Sequence, residues 1–204
     1  DGSYWAHRNR QRVGVAVADR PEGPWRRFDR PLLDVDALPD PTILTTNPSV
    51  GAMPDGRFLL MVKACAAQNE APMYGPVRHF VAFSESPTGP FRDVAGPLFA
   101  SGNAAFPCED PFVFRRDGRW FAILKDMRRF FAPPLERPLV LFESDDGIDW
   151  RPSGGVLALE RQLTWEDGAR QTFHRLERPQ LALEEDGTAI LFCAVKPDQE
   201  RADS

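Results

Sequence analysis

Two short phrases, Glu-Asp-Pro and Glu-Arg-Pro, carry the acidic residues best suited to chemistry in this sequence. The first phrase places Glu109 and Asp110 before a proline, and the second places Glu177 two residues before another. Carboxylates that are crowded and partly desolvated have their pKa values pushed apart, so one can hold a proton while another stays ionised. These three residues therefore indicate general acid–base chemistry, provided that the fold brings them together.

The prolines of these phrases belong to a repeat. Pro48, Pro111 and Pro179 are separated by 63 and then 68 residues, and each opens a run that leads to an Asp-Gly pair. The other half of the repeat is RVGVAVADRPEGPWRRF, which returns as HFVAFSESPTGPFRDV and as PLVLFESDDGIDWRPS. A fixed period of this length is typical of a repeat architecture.

Each repeat predicts four antiparallel strands. Asp-Gly between two apolar runs is a strong hairpin signal, because type I′ turns need positive φ at both central residues. The three pairs are Asp55-Gly56, Asp117-Gly118 and Asp186-Gly187. The other phrase adds a third strand, a turn, and an aromatic residue that starts a short fourth strand: Trp25, Phe91 or Trp150. A four-stranded sheet repeated in this way is a blade of a β-propeller.

The strand count predicts an all-β chain that forms a single partial β-propeller domain of four-stranded antiparallel blades. Residues 1–33 are expected to form the back half of one blade, 47–100 and 109–160 two full blades, and 177–204 the front half of another. Because such rings close with about four to eight blades, we expect the chain to be a truncated or processed piece of a larger protein. Helical signal is weak throughout, and residues 164–176 are interpreted as a loop.

The composition limits the kinds of partner. The chain has 204 residues, 42% of them hydrophobic, and a formal net charge of -5, which argues against nucleic acid as a partner. No apolar run approaches the roughly 18 residues of a membrane span, and no motif predicts a metal or a phosphate loop. Of the three cysteines, Cys65, Cys108 and Cys193, the first and the last are predicted to be buried free thiols. The compartment is left open, since secreted and periplasmic locations are both compatible with these features.

In a propeller, the acidic phrases of different blades are expected to lie close together. All blades start their innermost strand near the propeller axis, so phrase starts from different blades bring their side chains into one central pocket. The strands that follow the Asp-Gly turns return towards the outer or opposite side. Lys63, Lys125 and Asp126 end two of these strands and are therefore predicted to lie at the surface.

The phrases resemble glycoside hydrolase family 43 and its relatives, which are five-bladed β-propellers. GVAVADRPEGPW, EDPFVFRRDGRWFAIL and ERPQLALEEDG carry the resemblance, which covers nearly the whole chain. It implies a glycosidase that acts on oligosaccharides or polysaccharides without a cofactor, with about three of the five blades present here. It also implies a central funnel lined by a base Asp, an Asp that adjusts the pKa of the acid, and a Glu acid.

In that family, the two Asp residues stand directly before a proline and the Glu stands two residues before one. Two alignments fit. In the first, the base lies outside this sequence, Asn47 replaces the pKa-adjusting Asp, and Glu109 is the acid. In the second, Asn47 replaces the base, Asp110 adjusts the pKa, and Glu177 is the acid. Asn47 departs from the family in both alignments, because an amide cannot act as a base at neutral pH.

Four further residues are predicted to contact a sugar: Asn47, His79, Trp165 and Arg178. Two other functions fit the sequence. The NPSV and EDP phrases also resemble those of glycoside phosphorylases of the β-mannoside type. Phe112, however, stands where that family has a basic residue. A sugar-binding or structural propeller without catalysis is favoured by Asn47. Self-association through open blade faces is also expected.

Overall fold

A computed structural model describes residues 4–66, 75–100 and 105–197, so the last seven residues of the predicted front half-blade lie outside the described residues. The chain divides into two compact units, Asp1–Ala100 and Ser101–Ser204. Both units consist of antiparallel sheets in which strands that follow each other in sequence are hydrogen-bonded neighbours. Among the described residues, no helix has the length and apolar character needed to cross a membrane.

The first unit contains a two-stranded sheet and a four-stranded sheet. A short helix α1 (Tyr4–Asn9) precedes β1 (Ala16–Val17) and β2 (Arg26–Arg27), and a 3₁₀ turn (Val35–Ala37) leads to the larger sheet. That sheet is a meander of β3 (Thr42–Ala52), β4 (Phe58–Ala66), β5 (Val77–Ser84) and β6 (Arg92–Leu98). Strands β4 and β5 are buried over most of their length, as their continuous apolar runs predict.

The second unit repeats this architecture. A four-stranded meander is formed by β7 (Cys108–Arg116), β8 (Arg119–Asp126), β9 (Leu139–Ser144) and β10 (Arg151–Leu159). A three-stranded sheet follows, with β11 (Gln162–Thr164), β12 (Arg170–Leu183) and β13 (Ala189–Pro197). Ile123 and Leu139 of the first sheet pack in one buried cluster with Phe173 and Leu176 of β12. Burying each such side chain stabilises by about 1.5–3 kcal/mol, and the cluster therefore holds β12 against the four-stranded sheet.

The interpretation of residues 164–176 as a loop is wrong. Strand β11 ends at Thr164, and β12 begins at Arg170. The turn between them closes with a hydrogen bond of 2.8 Å from the Trp165 N–H to the Ala169 carbonyl. Gly168 has a φ of 83° in this turn, a conformation that glycine adopts without steric cost. The sequence of this segment shows only a weak apolar pattern, because only two of the first seven residues of β12 are buried.

The Asp-Gly pairs all form hairpin turns, but only one of them has the predicted type I′ geometry. Asp117 and Gly118 both have positive φ, at 50° and 79°. In the other two pairs only the glycine does, because the Asp side chain accepts the backbone N–H two residues later. Asp186 accepts from Thr188 at 2.8 Å in this way, and this hydrogen bond holds the pKa of Asp186 below its usual range.

The three cysteines are free thiols, which confirms the free thiols predicted for Cys65 and Cys193. Cys65 and Cys108 are buried, and Cys193 is partly buried in β13. Burial raises the pKa of the Cys193 thiol above its usual range. This disfavours the thiolate, the form that reacts with oxidants and binds metals.

Large apolar side chains are exposed on β12 and β13 of the three-stranded sheet. Ile190 and Phe192 share one face of β13, with Phe192 57% exposed, and Leu183 and Val195 lie on the opposite face. Strand β13 is also the last strand of its sheet. A free sheet edge with exposed apolar residues is a template for pairing with another chain.

We therefore expect the isolated chain to self-associate, and Phe192→Lys to weaken the association about tenfold or more through lost apolar burial. Sedimentation velocity over a concentration series measures the change. Ile148→Lys is the control, because Ile148 is also exposed, at 42%, but lies in the turn between β9 and β10. A wild-type chain that stays a monodisperse monomer at all concentrations would contradict this expectation.

Candidate functional site

The same β-bulge interrupts β3, β7 and β12 where their prolines lie. The residue directly before each proline has a left-handed backbone: Asn47 with φ 48°, Asp110 with φ 56° and Arg178 with φ 55°. Pairing with the next strand slips at each of these places. Proline cannot donate a hydrogen bond to the sheet and is confined to sheet edges, strand starts and bulges. A bulge re-aims the side chain at its position, so the sequence repeat has a structural counterpart.

The bulges also determine what faces the residue two positions before each proline. Thr46 is paired with Lys63, Glu109 with Lys125, and Glu177 with Ala194. Among these three equivalent positions, only the pair in β7 and β8 places a lysine opposite a glutamate. The first blade has threonine at the glutamate position, and the last sheet has alanine at the lysine position.

Glu109, Asp110 and Glu177 lie together in the second unit. One carboxylate oxygen from each of them lies within 4.8 Å of the others. Asp110 is buried, and the side chains of Glu109 and Glu177 are 17% and 16% exposed. The structure thus brings together the three carboxylates singled out in the sequence, and it leaves two of them partly accessible.

Lys125 lies between the two glutamates. Its Nζ is 3.2 Å from Oε1 of Glu109 and 2.5 Å from Oε2 of Glu177, and its side chain is only 5% exposed. The prediction that Lys125 lies at the surface is therefore wrong. The reason is the bulge in β7, which shifts the pairing by one residue so that Lys125 and not Asp126 faces Glu109.

The charges in this cluster depend on one another. Arg175 adds a second cation, with its Nη1 3.9 Å from Oε1 of Glu177 and its side chain 52% exposed. A buried charge costs several kcal/mol unless it is paired, so the carboxylates depend on Lys125. Oxygen ligands at this spacing are also of the kind that hard cations bind, but the Lys125 ammonium supplies the compensating charge between the glutamates. Carboxylate oxygens also accept hydrogen bonds from hydroxyl groups, such as those of a sugar.

Asp126 organises the loop that follows Lys125. It is fully buried, and its carboxylate accepts four backbone N–H groups at 2.8–3.2 Å, from Arg128, Phe130, Phe131 and Ala132. Successive backbone N–H groups that converge in this way form an anion-binding concavity. The surface position predicted for Asp126 is therefore also wrong, and the carboxylate instead fixes the connection from β8 to β9 beside the cluster.

Two of the predicted sugar contacts lie elsewhere. His79 is fully buried in β5, and its ring packs edge-on against Phe99 at 5.6 Å between centroids, so it presents no surface to a sugar. Trp165 is 49% exposed, and its Nε1 donates to Gln171 at 3.1 Å. Gln171 precedes Glu177 by six residues in β12, which is on the order of 20 Å along a strand. Trp165 is therefore not brought to the carboxylates.

The two remaining predicted contacts both occupy bulge positions. Asn47 is partly buried in β3 of the first unit, and Arg178 is exposed in β12, next to Glu177. Sequence reasoning missed Lys125, although a signal for it exists. A proline within a strand predicts a bulge, which adds one residue to that strand. When the pairing is counted outwards from the Asp117-Gly118 turn and one extra residue is allowed in β7, Lys125 pairs with Glu109.

Solved structures with the same fold include glycoside hydrolases. A thermostable family-43 glycoside hydrolase matches 92% of this chain and 60% of its own, with a TM-score of 0.65 and 14% identity. A family-43 enzyme of Xanthomonas citri, complexed with xylotriose, matches 84% and 54% at TM-score 0.58 and 19% identity. A variant of the GH32 β-fructofuranosidase of Bombyx mori, in complex with sucrose, matches 93% and 37% at TM-score 0.57 and 17% identity. No family model and no curated protein sequence matches the chain.

These similarities establish the fold and confirm that the repeated strands are β-propeller blades. The same architecture occurs in the family-43 hydrolase and in the GH32 enzyme. This chain spans about 60% of the length of the family-43 structure. A fold alone does not define an activity, so the functional argument depends on the cluster around Lys125.

Proposed function

We propose that this chain is part of a β-propeller glycoside hydrolase that cleaves a glycosidic bond of an oligosaccharide or polysaccharide by carboxylate acid–base chemistry. The observation that carries the proposal is the gathering of Glu109, Asp110 and Glu177 around Lys125. Hydrolysis needs one carboxyl group that protonates the leaving oxygen and one carboxylate that activates water. The complexes of similar propellers with xylotriose and sucrose support a carbohydrate ligand.

Within the cluster, Glu109 is the proposed proton donor to the leaving oxygen. Its contact with Lys125 is 3.2 Å, against 2.5 Å for Glu177. Glu177 is contacted by both Lys125 and Arg175, and the first alignment places the acid at Glu109. Asp110 is buried beside both glutamates.

For an inverting reaction, the water-activating base is assigned to a residue outside the cluster. Inverting glycosidases hold their two carboxyl groups about 6.5–9.5 Å apart to make room for water. The nearest oxygens of Glu109, Asp110 and Glu177 lie within 4.8 Å, which is too close for that arrangement. This spacing agrees with both alignments, because each of them puts the base position elsewhere.

An assay of the natural protein that contains this chain tests the proposal. We expect it to release sugar from at least one member of an aryl-glycoside panel in phosphate-free buffer. A Glu109→Gln/Glu177→Gln double variant should lose at least about 100-fold of that activity. Failure to cleave any member of the panel would contradict the proposal, and so would turnover that requires inorganic phosphate. The phosphorylase alternative has less support, because Phe112 stacks on Phe114 at 6.3 Å between centroids and supplies no cation.

A sugar-binding propeller without catalysis is the second candidate. Two observations favour it: Asn47 replaces a carboxylate at its bulge, and Lys125 contacts both glutamates at once. Calorimetry separates the two candidates, because saturable sugar binding without hydrolysis would support the binding module and reject the hydrolase.

A further inference from the structure

Arg178 occupies in β12 the position that Asp110 occupies in β7. Both residues directly precede a proline, both sit at a bulge, and their φ angles are 55° and 56°. Left-handed backbone is uncommon for residues other than glycine, asparagine and aspartate. This backbone conformation does not by itself select a long cationic side chain, although Arg129 and Arg137 adopt it as well.

The bulge aims its side chain at the functional cluster. In β7 it brings the carboxylate of Asp110 within 4.8 Å of those of Glu109 and Glu177. The same backbone conformation and the same slip in pairing recur in β12. Arg178 thus leaves its strand in the corresponding direction, directly after Glu177 in the chain.

Unlike Lys125 and Arg175, Arg178 forms no ion pair with a carboxylate among the described residues and can bind a ligand. Lys125 is committed to Glu109 and Glu177, and Arg175 approaches Glu177 at 3.9 Å. Arg178 is exposed and makes no hydrogen bond or ion pair within residues 4–66, 75–100 and 105–197. Its guanidinium offers a planar fork of donors, which matches a carboxylate through two parallel hydrogen bonds.

The charge of the site also permits an anionic ligand. The proposed proton donor Glu109 is uncharged while it holds its proton, so Asp110 and Glu177 carry two negative charges against the three cations Lys125, Arg175 and Arg178. A neutral sugar leaves the guanidinium of Arg178 without a counter-ion. A sugar that carries its own carboxylate supplies that counter-ion and is not repelled by the site as a whole.

We propose that the sugar bound at this site is a uronate, and that Arg178 binds its carboxylate through a bidentate pair. This inference rests on the proposed carbohydrate function and names the substrate class for it. Arg178 is then a specificity-determining residue that plays no part in proton transfer.

A paired glycan array tests the inference with the natural protein. The array holds uronate-containing plant and algal oligosaccharides, each beside the same oligosaccharide after reduction of its carboxylates to alcohols. We expect binding to the uronates and about ten- to hundredfold weaker binding to their reduced partners. Arg178→Asn should weaken uronate binding by a similar factor and leave the reduced glycans unaffected. Asparagine is chosen because it tolerates left-handed backbone and stands at the same bulge in β3.

Arg116→Gln is the matched control. Arg116 is also exposed, at 53% of its side chain, but it lies at the far end of β7, roughly 20 Å from Glu109. Its substitution should leave binding of both glycan sets unchanged. Reduced glycans bound as tightly as uronates, or an Arg178→Asn variant with unaltered uronate binding, would overturn the inference while leaving the hydrolase proposal intact. If neither glycan set binds, the inference is overturned, and the aryl-glycoside assay decides the hydrolase proposal separately.

Discussion

Glycoside turnover is expected to fall about 100- to 10,000-fold when Glu109 is replaced by glutamine. Glutamine keeps the shape of the side chain and its contact with Lys125, but it cannot transfer a proton. The loss should depend on the leaving group. A dinitrophenyl group leaves without protonation, so Glu109→Gln should spare that substrate while it abolishes cleavage of natural sugar leaving groups.

Glu177→Gln separates the two alignments that the sequence leaves open. If Glu177 is the proton donor, as in the second alignment, this variant and not Glu109→Gln should spare the dinitrophenyl substrate. If Glu109 is the donor, Glu177→Gln should reduce turnover of activated and natural substrates by the same factor. The ratio of kcat/KM values for the two substrates in each variant is the measurement.

Glu143→Gln is the control for both variants. The Glu143 side chain is 16% exposed, as is that of Glu177, and it is held by Arg119 at 2.8 Å and Arg151 at 3.1 Å. It lies in β9, four residues from the residue paired with Lys125, which is roughly 13 Å along the strand. Equal losses in this variant and in Glu109→Gln would show a general effect of glutamate removal and reject the assigned role.

The sequence was sufficient to predict the blades because their signals are local. Asp-Gly pairs, apolar runs and the prolines Pro48, Pro111 and Pro179 recur in fixed order and mark the hairpin turns, the buried strands and the bulges. The convergence of Glu109 with Glu177 also follows from the repeat, since equivalent positions in a propeller start near one axis. The start of β12, residues 170–176, was missed as strand because its few buried side chains give no clear period.

The partners of the carboxylates were harder to predict, because they depend on register. A slip of one residue decides whether Lys125 or Asp126 faces Glu109, and the two outcomes assign opposite roles. With the bulge, Lys125 becomes the counter-ion of the site and Asp126 becomes the anchor of a loop. The burial of His79 was equally invisible, because a histidine in an apolar strand fits a pocket wall and a packed core alike.

Lys125→Met is expected to lower the free energy of unfolding by about 3–5 kcal/mol, or roughly 6–20 °C in melting temperature. Methionine preserves the volume and the apolar stem, but it leaves two partly buried glutamates and Asp110 without their central cation. Lys63→Met is the control, because Lys63 holds the equivalent position in β4 and faces Thr46 instead of a glutamate. Its effect on thermal denaturation should be smaller than that of Lys125→Met, because Lys63 is less buried than Lys125 and no glutamate is paired with it.

A compensating variant makes the electrostatic origin of that loss testable. Removing one partner of a buried ion pair is costly, whereas replacing all its charges together is often nearly neutral. Lys125→Met combined with Glu109→Gln and Glu177→Gln removes both carboxylates that Lys125 contacts and should therefore recover most of the stability lost in Lys125→Met alone, while Asp110 stays charged. If the combined variant is as unstable as the single one, the ammonium acts through packing and is not the counter-ion of the cluster. A recovered melting temperature together with absent turnover would separate the stabilising role of Lys125 from the chemical role of the carboxylates it holds.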